Sequence, residues 1–218
     1  MKFKAAIFDL DGTLLDTIED LTDSMNAALA RMGYSGHSVS ECKLLVGDGL
    51  ETFVERALPD EMRDDPAANA RLADFLREEY KRRGTIKTKP YDGIPELLDE
   101  LSRRGLSLAV LSNKPHESTR IMIRMFLSRW MFRAVVGARD GIPRKPAPGS
   151  AIEIARLLKT APAEILYLGD SNTDMLTANA AGMFAVGVLW GFRSAEELDA
   201  NGARILIEKP ADLLMLLS

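Results

Sequence analysis

The amino-acid sequence predicts an α/β fold built on a parallel sheet, with an all-helical domain inserted near its start. Short apolar runs recur along the chain, helical patterns separate most of them, and one long early stretch contains no convincing strand. Strands that alternate with helices are typical of a parallel sheet covered by helices. With 218 residues, of which 46% are hydrophobic, the chain is long enough to bury such a core and still carry one insertion.

Six apolar runs mark the predicted strands. They are Ala5–Phe8, Leu106–Leu111, Ala134–Val136, Ile165–Leu168, Phe184–Leu189 and Ile205–Ile207. The helices predicted from apolar residues at helical spacing are Ile94–Arg104, His116–Trp130, Ser150–Lys159 and Asp174–Ala181. After the first of these helices comes Gly105, where a left-handed helix stop favours glycine.

The long stretch without strands predicts a separate helical domain. Its apolar residues repeat at helical spacing on one face. We therefore expect residues 1–15 and 90–218 to form the α/β core, and residues 16–89 to form a helical cap. Because the cap follows the first strand directly and returns through a second linker, we expect it to cover the end of that strand. Asp16 is expected to serve the hinge or to cap the following helix.

Composition and charge exclude several classes of protein. The formal net charge of -4 and the isoelectric point near 5.4 leave no basic face for nucleic acid, so we expect no nucleic-acid partner. No apolar run approaches the roughly 20 residues that span a bilayer, so we expect no membrane insertion. The single cysteine, Cys42, cannot form an internal disulfide, and the start MKFKAAIF lacks the apolar region of a signal peptide. We therefore expect a cytoplasmic protein, whose oligomeric state the sequence leaves open.

Two carboxylates, Asp9 and Asp11, follow the first predicted strand in the stretch FDLDGT. Open α/β sheets bind ligands at the carboxyl ends of their strands, so both side chains should face a crevice there. Gly12 allows a tight turn, and Thr13 offers hydroxyl and amide hydrogens to an anion. An Asp-rich turn that caps the next helix is an equally good interpretation of this stretch alone.

Polar residues also follow the later predicted strands. Ser112 and Asn113 end LAVLSN, Lys145 lies in PRKPAP, and Asp170 with Asp174 close YLGDSNTD. Taken singly, these are ordinary helix caps and a solvated loop lysine. Taken together at successive strand ends, they favour one shared site. The aspartates of that site would crowd negative charge, which requires a divalent cation and a lysine, and oxygen ligands favour Mg²⁺.

The chain resembles the haloacid dehalogenase (HAD) superfamily, whose phosphatase members carry D-x-D-G-T, a Ser or Thr at the second strand end, a Lys and a late G-D-x-x-x-D. The matching stretches are FDLDGTLLDT, LSNKP, RKPAP and YLGDSNTDM, and the tail AGMFAVGVLWGF is similar to the phosphoglycolate phosphatase branch. The resemblance covers nearly the whole chain. It implies a Rossmann-like doubly wound parallel sheet with a helical cap. It also implies a Mg²⁺-dependent hydrolase of a small phosphate ester, with phosphoglycolate as the leading candidate.

The resemblance implies a role for each matching residue. Asp9 is the nucleophile that forms an aspartyl-phosphate, and Asp11 is the general acid and base. The Mg²⁺ ligands are the Asp9 side chain, the Asp11 backbone carbonyl and Asp170, and Asp174 orients the surrounding groups. The groups that hold the phosphoryl oxygens are Ser112, the backbone amide of Asn113, and Lys145.

Substrate choice is expected to lie in the cap, in the stretch LVGDGLE. Gly47 and Gly49 let backbone amides approach a small anion there, and Lys43 or Arg56 is a candidate partner for a substrate carboxylate. Flexible turn glycines are the plainer interpretation of this stretch.

Other reactions stay open at the level of sequence. A phosphonatase would need a cap lysine that forms a Schiff base, for which Lys43 is the candidate. A phosphomutase would pass the phosphoryl group to a sugar hydroxyl under a closed cap. A signalling module would keep the phosphoryl group on its aspartate and act by binding. Asp11 argues against a dehalogenase, which has no alkoxide to protonate.

Overall fold

The computed structural model describes residues 3–217 of the chain. The chain forms two compact units. The core unit comprises the chain up to Leu15 together with the chain from Pro90 onwards, and the helical unit comprises Asp16–Lys89. Among the described residues, no helix is both long enough and apolar enough to cross a membrane.

Strands and helices alternate through most of the core unit. The strands are β1 Ala5–Phe8, β2 Leu15–Asp16, β3 Lys89–Pro90, β4 Ser107–Pro115, β5 Phe132–Ala138, β6 Ile165–Gly169, β7 Phe184–Val188 and β8 Ile205–Ile207. The helices are α1 Ile18–Arg31, α2 Val39–Leu45, α3 Leu50–Ala57, α4 Pro66–Arg83, α5 Ile94–Arg103, α6 His116–Phe126, α7 Gly149–Leu157, α8 Asn172–Ala180 and α9 Ala195–Ala200. Short 3₁₀ turns lie at Asp60–Met62, Pro162–Glu164 and Pro210–Leu217.

A parallel sheet forms the centre of the core unit. Within residues 3–217 its six strands lie in the order β5-β4-β1-β6-β7-β8. Strand β1 is buried on both faces, because Ala6 and Phe8 pack into one apolar cluster while Ala5 and Ile7 pack into the other. Helices α5 and α6 contribute to the first cluster, and α7, α8 and α9 contribute to the second. The predicted doubly wound α/β fold is confirmed.

The direction of chain progress across the sheet reverses at β1. From β1 the chain proceeds to β4 and β5 on one side, and it then crosses to β6, β7 and β8 on the other. The carboxyl ends of β1 and β6 therefore flank a switch point, where open α/β sheets bind their ligands. Asp9 follows β1 directly and Asp170 follows β6 directly, so the fold brings these two carboxylates to the same place.

Two core elements differ from the predicted ones. Helix α6 is shorter than predicted, because Leu127 leaves the helical region with a φ of -132° and is fully buried. Strand β4 continues beyond Leu111 to Pro115, with a shift of register against β5 in between. Ser112 and Asn113 therefore belong to the last part of a strand instead of following it.

In the helical unit, Asp20 joins the two ends of the segment, a contact that the sequence did not predict. Asp16 does not cap α1, because Thr17 takes the N-cap position and its side chain makes no capping hydrogen bond. Asp20, which is buried, accepts hydrogen bonds from the backbone amides of Lys87 and Thr88 and from the Thr88 hydroxyl, at 2.7–3.1 Å. These bonds join α1 to the residues that follow α4.

Replacement of Asp20 by alanine will destabilise the protein by about 2 kcal/mol, because the buried Thr88 amide loses its acceptor. Urea unfolding followed by circular dichroism measures this change. Asp23→Ala on the same helix is the matched control, since Asp23 pairs with Lys87 at the surface and its loss should leave unfolding nearly unchanged. Equal effects of the two substitutions would show that Asp20 does not hold the segment together.

Candidate active site

The side chain of Asp9 is buried at the carboxyl end of β1 beside a buried lysine. Lys145 Nζ lies 2.9 Å from Asp9 Oδ1 and 2.7 Å from Asp174 Oδ1. The Lys145 side chain is 2% exposed, and that of Asp174 is fully buried. Because an unpaired buried charge is costly, this one ammonium group stabilises two carboxylates at the end of the sheet.

Asp170 is held by a hydroxyl group and a backbone amide. Its Oδ1 accepts a hydrogen bond from the Thr13 hydroxyl at 3.2 Å, and its Oδ2 accepts one from the Phe192 amide at 2.8 Å. Gly12, with a φ of +87°, and Gly191 both lie so close that a Cβ at either position would collide with the Asp170 side chain. These glycines therefore leave room for the carboxylate as well as making the turns.

Asp174 serves the helix and the site together. It lies in the first turn of α8 and accepts hydrogen bonds from the Ser171 amide at 3.2 Å and the Ser171 hydroxyl at 2.6 Å, as in a capping box. Its Oδ1 also accepts hydrogen bonds from Lys145 Nζ at 2.7 Å and from the Tyr167 hydroxyl at 3.4 Å. The sequence offered helix capping and membership of the site as alternatives for Asp174; in the structure the residue caps α8 and also contacts Lys145.

Ser112 and Asn113 approach the site from β4. Asn113 Nδ2 donates to the Lys145 carbonyl at 3.2 Å, and the Lys145 amide donates to Asn113 Oδ1 at 3.0 Å. The Asn113 side chain thus fixes the backbone from which Lys145 extends, a role that the sequence did not indicate. Ser112 Oγ accepts a hydrogen bond from the Lys114 amide at 3.2 Å, which leaves its own hydrogen available.

The sequence also failed to indicate the partner of Asp11. Lys114 Nζ lies 3.1 Å from both carboxylate oxygens of Asp11, and the Lys114 side chain is 7% exposed. The stretch LSNKP contains Lys114 directly after the two residues predicted to hold phosphate. The position of this lysine at the carboxyl end of a buried strand was the feature of the sequence that could have marked it as a site residue.

Three buried carboxylates have the geometry of a metal site. One oxygen from each of Asp9, Asp170 and Asp174 can be chosen so that all three lie within 4.8 Å of one another. Asp9 Oδ1 is buried and has no hydrogen-bond partner among residues 3–217, although Lys145 Nζ is an ion-pair neighbour. Three buried carboxylates that share one ammonium group form an all-oxygen set that fits a small divalent cation such as Mg²⁺.

Comparison with known proteins identifies the family. A model of the haloacid dehalogenase-like hydrolases matches residues 6–188. The chain belongs to this family. It is 27% identical to a phosphoglycolate phosphatase of Aquifex aeolicus over 98% of this chain and 96% of the relative. It is 30% identical to phosphoglycolate phosphatase 1 of Pseudomonas aeruginosa over 97% of this chain and 78% of the relative. A crystal structure of a candidate phosphoglycolate phosphatase from Lactobacillus delbrueckii subsp. bulgaricus is 32% identical, covers 100% of this chain and 99% of its own, and has a TM-score of 0.92.

Negative charge exceeds positive charge in the buried cluster of this haloacid dehalogenase-like hydrolase. Burial raises the pKa of Asp9 well above its ordinary value, although Lys145 acts in the opposite direction. Burial and the Asp174 carboxylate raise the pKa of Asp170 to about 7. Burial lowers the pKa of Lys145, but the Asp174 and Asp9 carboxylates outweigh it and raise that pKa well above its ordinary value. These shifts share a cause, because three buried carboxylates crowd around one ammonium group.

The predicted substrate residues of the hydrolase lie in its helical unit. Lys43 is in the last turn of α2, and Gly47 and Gly49 lie in the loop between α2 and α3 with φ values of +121° and +101°. Within that loop Asp48 forms an ion pair with Arg56 at 2.7 Å. Both glycines adopt a backbone conformation that other residues rarely tolerate. The role of these residues toward a substrate stays a prediction.

Asp170→Asn will stabilise the metal-free hydrolase increasingly as the pH rises. The wild-type carboxyl group has a folded-state pKa of about 7, so the stability that its proton contributes is present at acid pH and is lost as the pH rises through 7. Asparagine keeps an acceptor for the Phe192 amide and carries no charge. The free energy of unfolding of Asp170→Asn should therefore increase relative to that of wild type by roughly 2 kcal/mol between pH 5 and pH 8.

Urea unfolding in a chelating buffer measures that difference at each pH. Asp199→Asn, at an exposed position of the same unit, is the matched control. A difference between Asp170→Asn and wild type that does not change with pH would show that Asp170 is not the group that titrates in the cluster.

Proposed function

We propose that this protein is a Mg²⁺-dependent phosphomonoester hydrolase that transfers the phosphoryl group of a small metabolite to Asp9 and then to water. Phosphoglycolate is the leading candidate substrate. The observation that carries the proposal is the buried Asp9 carboxylate, paired with Lys145 at the switch point of the sheet and grouped with Asp170 and Asp174. Membership of the hydrolase family supports it independently.

The Asp9 carboxylate is the nucleophile in this proposal. One of its oxygens attacks phosphorus in line, and the bond between phosphorus and the ester oxygen breaks as the aspartyl-phosphate forms. A phosphate dianion is repelled by the surrounding carboxylates, so the approach requires compensating cations. Mg²⁺, held by the Asp9 and Asp170 side chains and the Asp11 carbonyl, would neutralise charge on the phosphoryl oxygens.

Three groups hold the transferring phosphoryl oxygens. An ammonium group has three N–H donors, and Lys145 directs Nζ toward Asp9 and Asp174, so one donor remains for a phosphoryl oxygen. The Ser112 hydroxyl accepts from a backbone amide and can donate its own hydrogen. The backbone amide of Asn113 is the third donor. Donors of this kind stabilise the charge that spreads over the phosphoryl oxygens during transfer.

Asp11 carries the proton in both steps. Its carboxyl group gives a proton to the leaving ester oxygen, and the resulting carboxylate takes a proton from the water that attacks the aspartyl-phosphate. The two steps regenerate Asp9 and the protonated Asp11, so the enzyme returns to its starting state. Asp174 supports this arrangement by keeping Lys145 and, when Mg²⁺ is bound, the groups around the metal in place.

The substrate assignment draws on the relatives and on the helical unit. The proteins from Aquifex aeolicus and Pseudomonas aeruginosa are phosphoglycolate phosphatases. A second carboxylate on the substrate requires a cation or a cluster of amides. We assign that role to Lys43 and to the amides of the loop that contains Gly47 and Gly49. An ion pair between Asp48 of the same loop and Arg56 of α3 links this loop to the helix that follows it.

Asp9→Asn will lower phosphate release from phosphoglycolate by at least about 10³-fold, because the amide is a poor nucleophile. Release is measured across a panel of small phosphomonoesters, with Mg²⁺ and with a chelator, and the chelator should abolish it in wild type. Asp199→Asn, which removes an exposed aspartate of the same unit, should retain full activity.

The panel separates the parts of the proposal. Mg²⁺-dependent release that favours another ester would keep the reaction and discard phosphoglycolate. Release that survives in Asp9→Asn would reject the nucleophile. Absence of turnover on every ester would reject hydrolysis in favour of a mutase, a phosphonatase or a signalling role.

A further inference from the structure

The core unit contains a second lysine near the site, the partly buried Lys114, in contact with Asp11. Its Nζ lies 3.1 Å from both Asp11 Oδ1 and Asp11 Oδ2. The Lys114 side chain is 7% exposed, against 20% for Asp11. A cation placed evenly between the two oxygens fixes the direction in which the carboxylate points, and the long lysine side chain loses its conformational freedom in doing so.

The main chain of Lys114 is anchored independently of this ion pair. Its amide donates to the Ser112 hydroxyl and its carbonyl accepts from the Thr119 hydroxyl, both at 3.2 Å. The next residue, Pro115, is in register with β5. The side chain therefore extends from a fixed point on the sheet and reaches Asp11, 103 positions away in sequence.

Lys114 and Lys145 form ion pairs with different carboxylates of the core unit. Lys145 pairs with Asp9 and Asp174, whereas Lys114 pairs with Asp11. Asp11 thus has a cationic partner other than Lys145. Each carboxylate oxygen has two acceptor positions, so contact with Lys114 leaves a position on Asp11 for exchange of a proton with substrate.

We propose that Lys114 is a positioning residue that keeps the carboxyl group of Asp11 aimed at the leaving oxygen of the substrate. This inference rests on the proposed function, in which Asp11 is the acid. As the bond between phosphorus and the ester oxygen breaks, its electron pair stays on that oxygen and the proton of Asp11 neutralises it. Lys114 itself exchanges no proton.

Leaving-group chemistry makes this role measurable. An alkyl phosphate such as phosphoglycolate needs the proton, because an alkoxide is a poor leaving group. An aryl phosphate such as 4-nitrophenyl phosphate does not, because its phenolate leaves as an anion. Loss of a positioning residue should therefore slow transfer from the alkyl ester far more than transfer from the aryl ester.

The experiment measures single-turnover rates of transfer from both esters with Lys114→Met and Lys114→Arg. Lys114→Met should lower the rate with phosphoglycolate about 10- to 100-fold and the rate with 4-nitrophenyl phosphate less than about 3-fold. Lys114→Arg keeps the charge and should recover part of the loss. Lys4→Met, which removes a surface ion pair with Glu164, is the control. Lys114→Gln replaces Lys114→Met if the latter does not fold.

A double variant tests whether Lys114 acts through Asp11. In an Asp11→Asn background, Lys114→Met should cause no further loss with phosphoglycolate. A second, additive loss would overturn the inference, because Lys114 would then contact the substrate directly. Equal losses on the two esters, or no loss on either, would overturn it as well.

A crystal structure of Lys114→Met separates this inference from the proposed function. We expect the Asp11 carboxylate to turn away from its wild-type direction. If wild type hydrolyses neither ester, the proposed function fails. The positioning role is then tested only by comparing the direction of the Asp11 carboxylate in Lys114→Met with that in wild type. An Asp11 carboxylate unchanged in Lys114→Met would overturn the inference whatever the activity.

Discussion

Excess negative charge in a buried crevice is the constraint on which the site depends. Asp9, Asp170 and Asp174 lie within a few ångströms of one another, and Lys145 contacts two of them. The neighbouring features make this crowding tolerable: Thr13 and a backbone amide stabilise Asp170, and glycines leave room for its carboxylate. The proposed Mg²⁺ would balance the negative charge that remains, so the crowding that costs stability in the metal-free protein is also what the proposed metal site is built on.

Much of the core and its acidic site was predictable from the sequence, because the relevant information is local. Apolar runs and helical spacing placed the six strands of the sheet, and the carboxyl ends of parallel strands meet at one edge. Asp9 and Asp170 were therefore expected to be neighbours although the chain separates them widely. Asp174 was ambiguous in the sequence, since an acidic residue in the first turn of a helix fits both a cap and a site.

The contacts that the sequence did not predict join distant segments. The position of Lys114 in LSNKP, at the carboxyl end of a buried strand, indicates a site residue but does not identify Asp11 as its partner, and nothing there indicates that the Asn113 side chain binds the backbone of Lys145. Likewise, Asp16 and Asp20 are both acidic residues near the start of α1, and only burial against Thr88 distinguishes the one that joins the segment ends. A long polar side chain has several reachable partners, and the tertiary structure selects among them.

Mass spectrometry of the acid-quenched enzyme tests covalent transfer to Asp9 most directly. With Mg²⁺ and the best ester of the panel, we expect one phosphoryl group on the peptide that contains Asp9, removable by hydroxylamine and absent in Asp9→Asn. Rapid turnover with a phosphoryl group trapped on a different residue would show that Asp9 is not the nucleophile, and that the buried cluster around Lys145 has another purpose.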